Sequence, residues 1–569
     1  MRITRREFSK VFASSALGAL VPSLGARGIA GPSQEQAPPA GSNSAFSDID
    51  LTKSRLNPLR LRAVDLRTAI RLGVNHIYVG ALDRRQRCMP FVPFNLTEAP
   101  TGAQHAYWGC PHMVGRFLDA LAVSSEVIDI PPDKEADHAL RDLLHNSLRN
   151  PSGFALDAGP AANGKRGANM HNCREVLLGL LALAKWKRCE RSAELARGFI
   201  RTIEKATRET GMFPAPVLYE DGWGKPEKDQ INSTIGRLIG ALVKYYRQTK
   251  DDLAVQLAKG FAETNISKTF TTDGELTELA GSHLHSTEGT MTALLALGVL
   301  TGEKRYFEIG HRLYDVGLRR WRTSFGWAKE RRDSSPGRGE ANNTGDYLEA
   351  AVILASNGYP VYFRDAECFI RNGLLAAQVV NIDWIAQSTE PDTEEYVHSE
   401  IRRRAKGAFA FTSPHGYHSY NTDLMGGALQ SLGEAYHAIT TEDNAGCHVN
   451  MLFPTELPGL SIRSSLPEAG QLQIETKRPC TLNVRLPDWV ERRNLKLRVN
   501  GESQTPRWEK HELVIGKLRP QTVVEIAFDQ PRRHTQEAAP GYPTPYEIDW
   551  IGGTIVDMKP APADGIPLY

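Results

Sequence analysis

Cysteine is scarce in this sequence: seven residues in 569, at positions 88, 110, 173, 189, 368, 447 and 480, odd in number and without a C-x-x-C pair. That excludes a disulfide-stapled scaffold and a paired-thiol zinc or redox motif, and leaves mostly buried free thiols with room for one opportunistic disulfide. Long apolar runs are lacking too. Beyond the first thirty residues no window approaches eighteen uninterrupted apolar residues, so neither a spanning helix nor a stable membrane anchor is expected. Charge of either sign is not in excess. There are 68 Lys and Arg against 66 Asp and Glu, a net of +2. Residues 1–30 hold Arg2, Arg5, Arg6, Lys10 and Arg27 against Glu7 alone, which puts the remainder near −2. A nucleic-acid binder would show a basic face and a higher pI, so a nucleic-acid partner is not expected.

What is present begins at the N-terminus. Arg5 and Arg6 are followed by Phe8 and Lys10, and a mildly apolar stretch, Val11 to Leu24, leads into Gly28-Ile29-Ala30. This is a twin-arginine export signal with cleavage near Ala30. The expected partner is the twin-arginine translocation machinery, and the expected location is periplasmic or secreted. About 540 mature residues exceed one ordinary hydrophobic core, so more than one domain is expected.

From Gln34 to Ser47 the chain is Pro, Ala, Ser, Gly and Gln, a linker composition. Residues 31–105 therefore read as a linker and a segment that wraps the main domain. Over 106–442 apolar residues recur at helical spacing, most clearly in 176–186, 235–246, 290–300, 306–318, 347–355 and 424–438. Some eleven or twelve such segments arrive in pairs, which predicts helical hairpins closing into an (α/α) toroid. After Cys447 the period changes to two, in LSIRSS, LQIETK, TLNVRLP, LKLRVNG, LVIGKL and VVEIAF, with Asn500-Gly501 as a hairpin signal. Residues 443–531 thus read as a β-sandwich. The tail, 532–569, carries one ordered-looking stretch, YEIDWIGGTIVDM, expected to pack back on the body.

A toroid followed by a sandwich containing VRLPDWVE, LKLRVNGE and VVEIAFDQPRR resembles the β-L-arabinofuranosidase family of glycoside hydrolases, family 127, over roughly residues 165 to 530. The segment beginning RGEANNTGDYLEAAV resembles the family stretch that opens Glu-x-Cys-Asn-Thr. On that match Glu340 stands at the zinc-binding glutamate and Asn342 at a cysteine ligand. The stretch HSYNTDLMGGAL resembles the segment with the family's paired cysteines, placing Tyr420 and Asn421 at those positions. The family's thiolates suit Zn²⁺ because soft sulfur suits that metal. With all three absent, the expectation is no zinc site, no cysteine nucleophile and no cofactor.

Glycoside cleavage generally needs a proton donor and a second carboxylate. Glu330 and Glu340 bracket the polar loop RRDSSPGRG, and Asp346 follows within two turns. These three are the candidate catalytic residues, with Tyr420 as a fourth. His283 and His285 precede a helix start containing Thr287 and Glu288, and His171 opens another helix. With Trp327, Asn342 and Asn421 they are expected to bind the sugar. The reading this supports is an exported glycoside hydrolase acting on an oligosaccharide or polysaccharide of plant or microbial origin. Two alternatives stay open: a polysaccharide lyase using Tyr420 with His415 or His418 and a basic subsite at Arg402-Arg403-Arg404, and a glycan-binding relative without catalysis.

Overall fold

The structure is a computed structural model that describes residues 56–569 except 106–108, 160–163, 212, 214–215, 226–229 and 564–565. The twin-arginine segment, its cleavage site and the linker at 34–47 lie outside the described residues. Among those described, no helix is long and apolar enough to cross a membrane, and all seven cysteines are free thiols.

Among the described residues, twelve α-helices of six residues or more carry the first three quarters of the chain: α1 (Leu66–Asn75), α2 (Cys110–Ser125), α3 (Lys134–Ser147), α4 (Cys173–Trp186), α5 (Glu190–Thr210), α6 (Arg237–Thr249), α7 (Asp252–Thr269), α8 (Leu284–Thr301), α9 (Lys304–Arg312), α10 (Ala341–Ser356), α11 (Phe363–Cys368) and α12 (Leu424–Ala438). The even-numbered six pack side by side in the order α2, α4, α6, α8, α10, α12, and α12 returns to α2 and closes the ring. The odd-numbered helices lie outside them. The sequence separates the two layers. Inner α8 is buried on nearly every side, whereas outer α5 buries only one stripe, including Ala196, Phe199, Ile200 and Ile203. Glycine sets the closest inner crossing, since a Cβ on Gly179 would lie 2.8 Å from the Cα of Gly115.

The described part of the N-terminal segment, from residue 56, contributes strands beside this ring. Met89–Asn95 and Gly102–His105 join Tyr396–Val397, Phe411–Thr412, Tyr417–Asn421, Gly339–Glu340 and Leu82–Asp83 in one seven-stranded sheet. Its strands run from two to seven residues and pair across more than three hundred positions, as in Tyr420 opposite Phe94. The edge strand Gly339–Glu340 leads directly into α10.

The β-rich part holds a five-stranded and a six-stranded sheet. Their inner faces share one core through alternating residues such as Leu472, Ile474, Leu482, Val484, Val524 and Ile526. At the expected hairpin Asn500 and Gly501 have φ of 51° and 83°, the left-handed pair a type I′ turn requires. The tail forms a separate three-stranded sheet, Arg532–Glu537, Tyr546–Ile551 and Thr554–Lys559. It is tied back to the helical domain by Asn372, whose amide donates to the Gly553 carbonyl at 2.9 Å and accepts from the Ile555 N–H at 3.0 Å.

Candidate active site

All six inner helices run the same way, so their first turns meet at one face of the ring. The sequence places polar residues there and apolar residues deeper: His112 and Arg116 on α2, Arg174 and Glu175 on α4, Arg237 on α6, His285 and Glu288 on α8, and Asn342 and Asp346 on α10. Asp423 caps α12. Six convergent helix N-termini also give this face a positive potential that favours carboxylates.

The base of the pocket is a charged plug. Glu175 is fully buried and meets Arg237 at 2.5 Å, Arg174 at 3.0 Å and Arg116 at 3.5 Å. These guanidiniums hold its carboxyl well below the usual range despite burial. Histidines fill the space between them. His171 accepts from Arg237 through Nε2 at 2.7 Å and donates from Nδ1 to the Ser233 carbonyl at 3.1 Å. It stacks on His112 with ring centroids 5.3 Å apart. Arg116 donates to Nε2 of His285 at 3.1 Å, so Nδ1 of that ring carries the hydrogen and donates to Asp346 at 2.7 Å. Burial keeps His112, His171 and His285 neutral. It also lifts Asp346 to about 7 and Glu288 well above the usual carboxylate value.

Above this plug lie three carboxylates. Asn342 donates from its amide nitrogen both to Glu340, at 3.0 Å, and to Asp423, at 3.3 Å, while its oxygen accepts from Arg116 at 3.1 Å. Desolvation pushes Asp423 up to about 6, with the Glu340 charge adding to the rise, and burial raises Glu340 as well. Glu330 is paired with Arg338 at 2.5 Å, and that guanidinium lies over the Phe411 ring at 3.6 Å. His283 sits 3.6 Å from Glu340 with its ring pushed down to about 4 by desolvation. A nitrogen of His283 and one oxygen each of Glu330 and Glu340 lie within 4.8 Å of one another.

The site therefore brings together Glu330, Glu340, Asp346, His171, His283, His285 and Asn342, all expected from the sequence. It leaves out Tyr420 and Trp327. Tyr420 is fully buried in the seven-stranded sheet, stacked on Phe94 at 4.6 Å with its hydroxyl unpartnered, so it is a core tyrosine. Asn421 lies beside it on the same strand, opposite Pro93. Trp327 is 4 % exposed and donates to the Thr412 carbonyl at 3.1 Å. It packs beneath the strand that delivers Glu340, where a Cβ on Gly339 would meet its ring nitrogen at 2.7 Å, so it supports the strand and does not line the pocket. Of the lyase set, exposed His418 lies near Arg338 and Glu330, but the other members are elsewhere. His415 stacks on Tyr569, and Arg402, Arg403 and Arg404 bond to Ile385, Glu400 and Val79.

Asp423, Arg116 and Arg237 were not singled out by sequence. Arg116, in the apolar helix CPHMVGRFLDALAV, and Asp423, three residues past Tyr420 at a helix start, were the available signals. Contact with Asn342 puts Asp423, not Tyr420 or Asn421, at the position facing the Glu340 strand. The donors around Asn342 do not fit a zinc–thiolate centre. No cysteine is among them, and the Asn342 amide is already spent on two carboxylates and one guanidinium.

A closed ring of six inner and six outer helices, with carboxylates at the inner N-termini and a sandwich behind, is an (α/α) toroid, a fold that glycosidases use. Within it, residues 171–373 match the family model for the β-L-arabinofuranosidase GH127 catalytic domain. The chain is structurally similar to a GH127 β-L-arabinofuranosidase from Geobacillus stearothermophilus T6, at 13 % identity and TM-score 0.53, covering 86 % of this chain and 80 % of that one. It is also similar to a GH127 β-arabinofuranosidase at 13 % identity and TM-score 0.58, covering 87 % and 81 %. A third structure, titled a glycoside hydrolase, aligns at 11 % identity and TM-score 0.53 over 84 % of each chain. No curated protein sequence matches. The expected fold and family resemblance are thereby met, and they support a glycoside hydrolase.

Proposed function

We propose that this protein is an exported glycoside hydrolase that removes sugar units from the end of a glycan, using Glu330, Glu340 and Asp423 in place of thiolate chemistry. The observation that carries the reading is the single amide of Asn342 donating to both Glu340 and Asp423 at the mouth of the ring. Two buried carboxyls held this close cannot both ionise cheaply, so the pair retains a proton into the neutral range and serves as the acid. Glu330, ion-paired with Arg338, is the complementary carboxylate, acting as nucleophile or base. Its oxygen lies within 4.8 Å of one on Glu340, nearer the roughly 5 Å separation of retaining enzymes than the 6.5 to 9.5 Å of inverting ones. The Glu175–arginine plug closes the inner end of the pocket, which favours attack on a chain end over mid-chain cleavage. His283, neutral and partly exposed, is the ring suited to a sugar hydroxyl, whereas both nitrogens of His171 and of His285 are already bonded within the plug.

The family match and the named relatives make β-L-arabinofuranosides the first substrates to test. The assay incubates the mature protein with aryl glycosides and plant glycans and follows free sugar together with absorbance of unsaturated uronates. Release of sugar without that chromophore, abolished in Glu340→Gln and Asp423→Asn and strongly reduced in Glu330→Gln, is the expected outcome. The chromophore would mean a lyase, and silence across the panel would leave a binding protein. Export rests on Arg5-Arg6 and is tested by cytoplasmic retention of the Arg5→Lys/Arg6→Lys variant.

A further inference from the structure

The Arg-x-Pro-x-Trp phrase at 485–489 has no part in the carboxylate pocket, yet it forms one wall of a cleft of about 800 Å³ where toroid, sandwich and C-terminal sheet meet. That volume is in the range of ligand sites, and none of the pocket's carboxylates lines it. Trp489 is half-buried in this wall, edge-on to Phe528 at 5.7 Å. Gly552 and Gly553 press against its ring, where a Cβ would come within 3.0 Å and 3.3 Å of it, so the indole is fixed in place.

The charges in the cleft are largely spoken for. Arg371 pairs with Glu367 at 2.9 Å, Arg485 approaches the same carboxylate at 3.7 Å, and Arg364 reaches Asp488 at 3.4 Å. Most guanidiniums there are compensated, with exposed Arg319 the exception, so a neutral ligand is favoured over an anionic one. Among the buried side-chain atoms of the cleft, the Gln530 oxygen and the Nε of Arg322, which lies over the Tyr314 ring at 3.9 Å, have no hydrogen-bond partner. Asp488 stands more than half exposed beside Trp489. A rigid, partly open indole flanked by a planar carboxylate complements a neutral polyol. The ring faces the apolar side of a sugar, and the carboxylate takes vicinal hydroxyls.

We propose that this cleft is a second saccharide-binding site, for a neutral glycan chain, with Trp489 as its stacking platform and Asp488 as its hydroxyl partner. It would hold a polysaccharide on the enzyme while chain ends are processed in the ring.

The test is affinity electrophoresis of the full mature protein in gels containing arabinan, xylan or galactan, with polygalacturonate as the anionic comparison, alongside kinetics on the smallest glycoside cleaved. At least one neutral polysaccharide is expected to retard the wild type. Trp489→Ala should weaken that retardation about tenfold, Trp489→Phe should retain most of it, and kcat/KM on the small glycoside should not change. Asp488→Ala, at an exposed position that folding does not depend on, should weaken binding severalfold. The proposal is overturned if no neutral polysaccharide retards the protein, if polygalacturonate alone does, or if both alanine variants migrate as wild type. Retardation that depends on Trp489 in a protein that hydrolyses nothing would overturn the hydrolase reading and leave this site standing.

Discussion

Replacing Asp423 by asparagine should destroy activity and yet make the protein more stable at neutral pH. The carboxyl is pushed up to about 6 in the folded chain by desolvation, with the Glu340 charge adding to it. In the unfolded chain it returns to about 3.9. A raised acid binds its proton more tightly when folded, so between those values the folded state loses stability as pH rises, at about 1.4 kcal/mol per pH unit. Over roughly two units this reaches an upper bound of about 3 kcal/mol, and partial solvent contact brings it nearer 1.5 kcal/mol. Asparagine keeps an oxygen to accept from Asn342 and carries no charge, so it removes the cost without leaving a donor unpaired. For a chain of this size the gain corresponds to a melting temperature higher by about 1–3 °C. Paired melts of wild type and Asp423→Asn from pH 4 to pH 8 should show the curves coinciding near pH 4 and separating above it. A variant that melts below wild type at pH 7.5, or whose advantage persists unchanged at pH 4, would refute the idea that Asp423 is a destabilised functional carboxyl.

Glu175→Gln should act in the opposite sense. It removes the buried carboxylate that three guanidiniums share, and should cost about 3–5 kcal/mol, read as a lower melting temperature; an unchanged melt would mean the plug is not structural. Tyr420→Phe should retain full activity, because the ring is fully buried against Phe94 with its hydroxyl shut away from solvent, and loss of activity there would revive the lyase chemistry. Treatment with a chelator should leave hydrolysis unaffected, since Glu330 is engaged by Arg338. Activity lost to the chelator and restored by Zn²⁺ would instead show that His283, Glu330 and Glu340 take a cation.

Much of the scaffold was legible in the residues themselves. Apolar recurrence at 176–186 and 424–438 located inner helices almost to their ends, because periodicity is a local property of the chain. Asn500-Gly501 forced its hairpin for the same reason, as both residues tolerate positive φ. The N-terminal strands were not legible. Met89–Asn95 is stabilised by Tyr417–Asn421, more than three hundred residues away, and nothing in its own spacing announces that partner.

The site divides along the same line. Composition and spacing alone placed carboxylates and histidines before the helices at 284 and 341, and the family resemblance implied that other residues hold the thiolate positions. Only the tertiary structure decided which of these groups meet. Closing the ring puts α12 against α10 and so brings Asp423, from 81 residues on, within reach of the same amide as Glu340. Pairing the N-terminal strand with Tyr417–Asn421 buries Tyr420 and turns an apparent catalytic residue into core. Burial and proximity then set each proton's affinity, and both are properties of the assembled ring that no single segment carries.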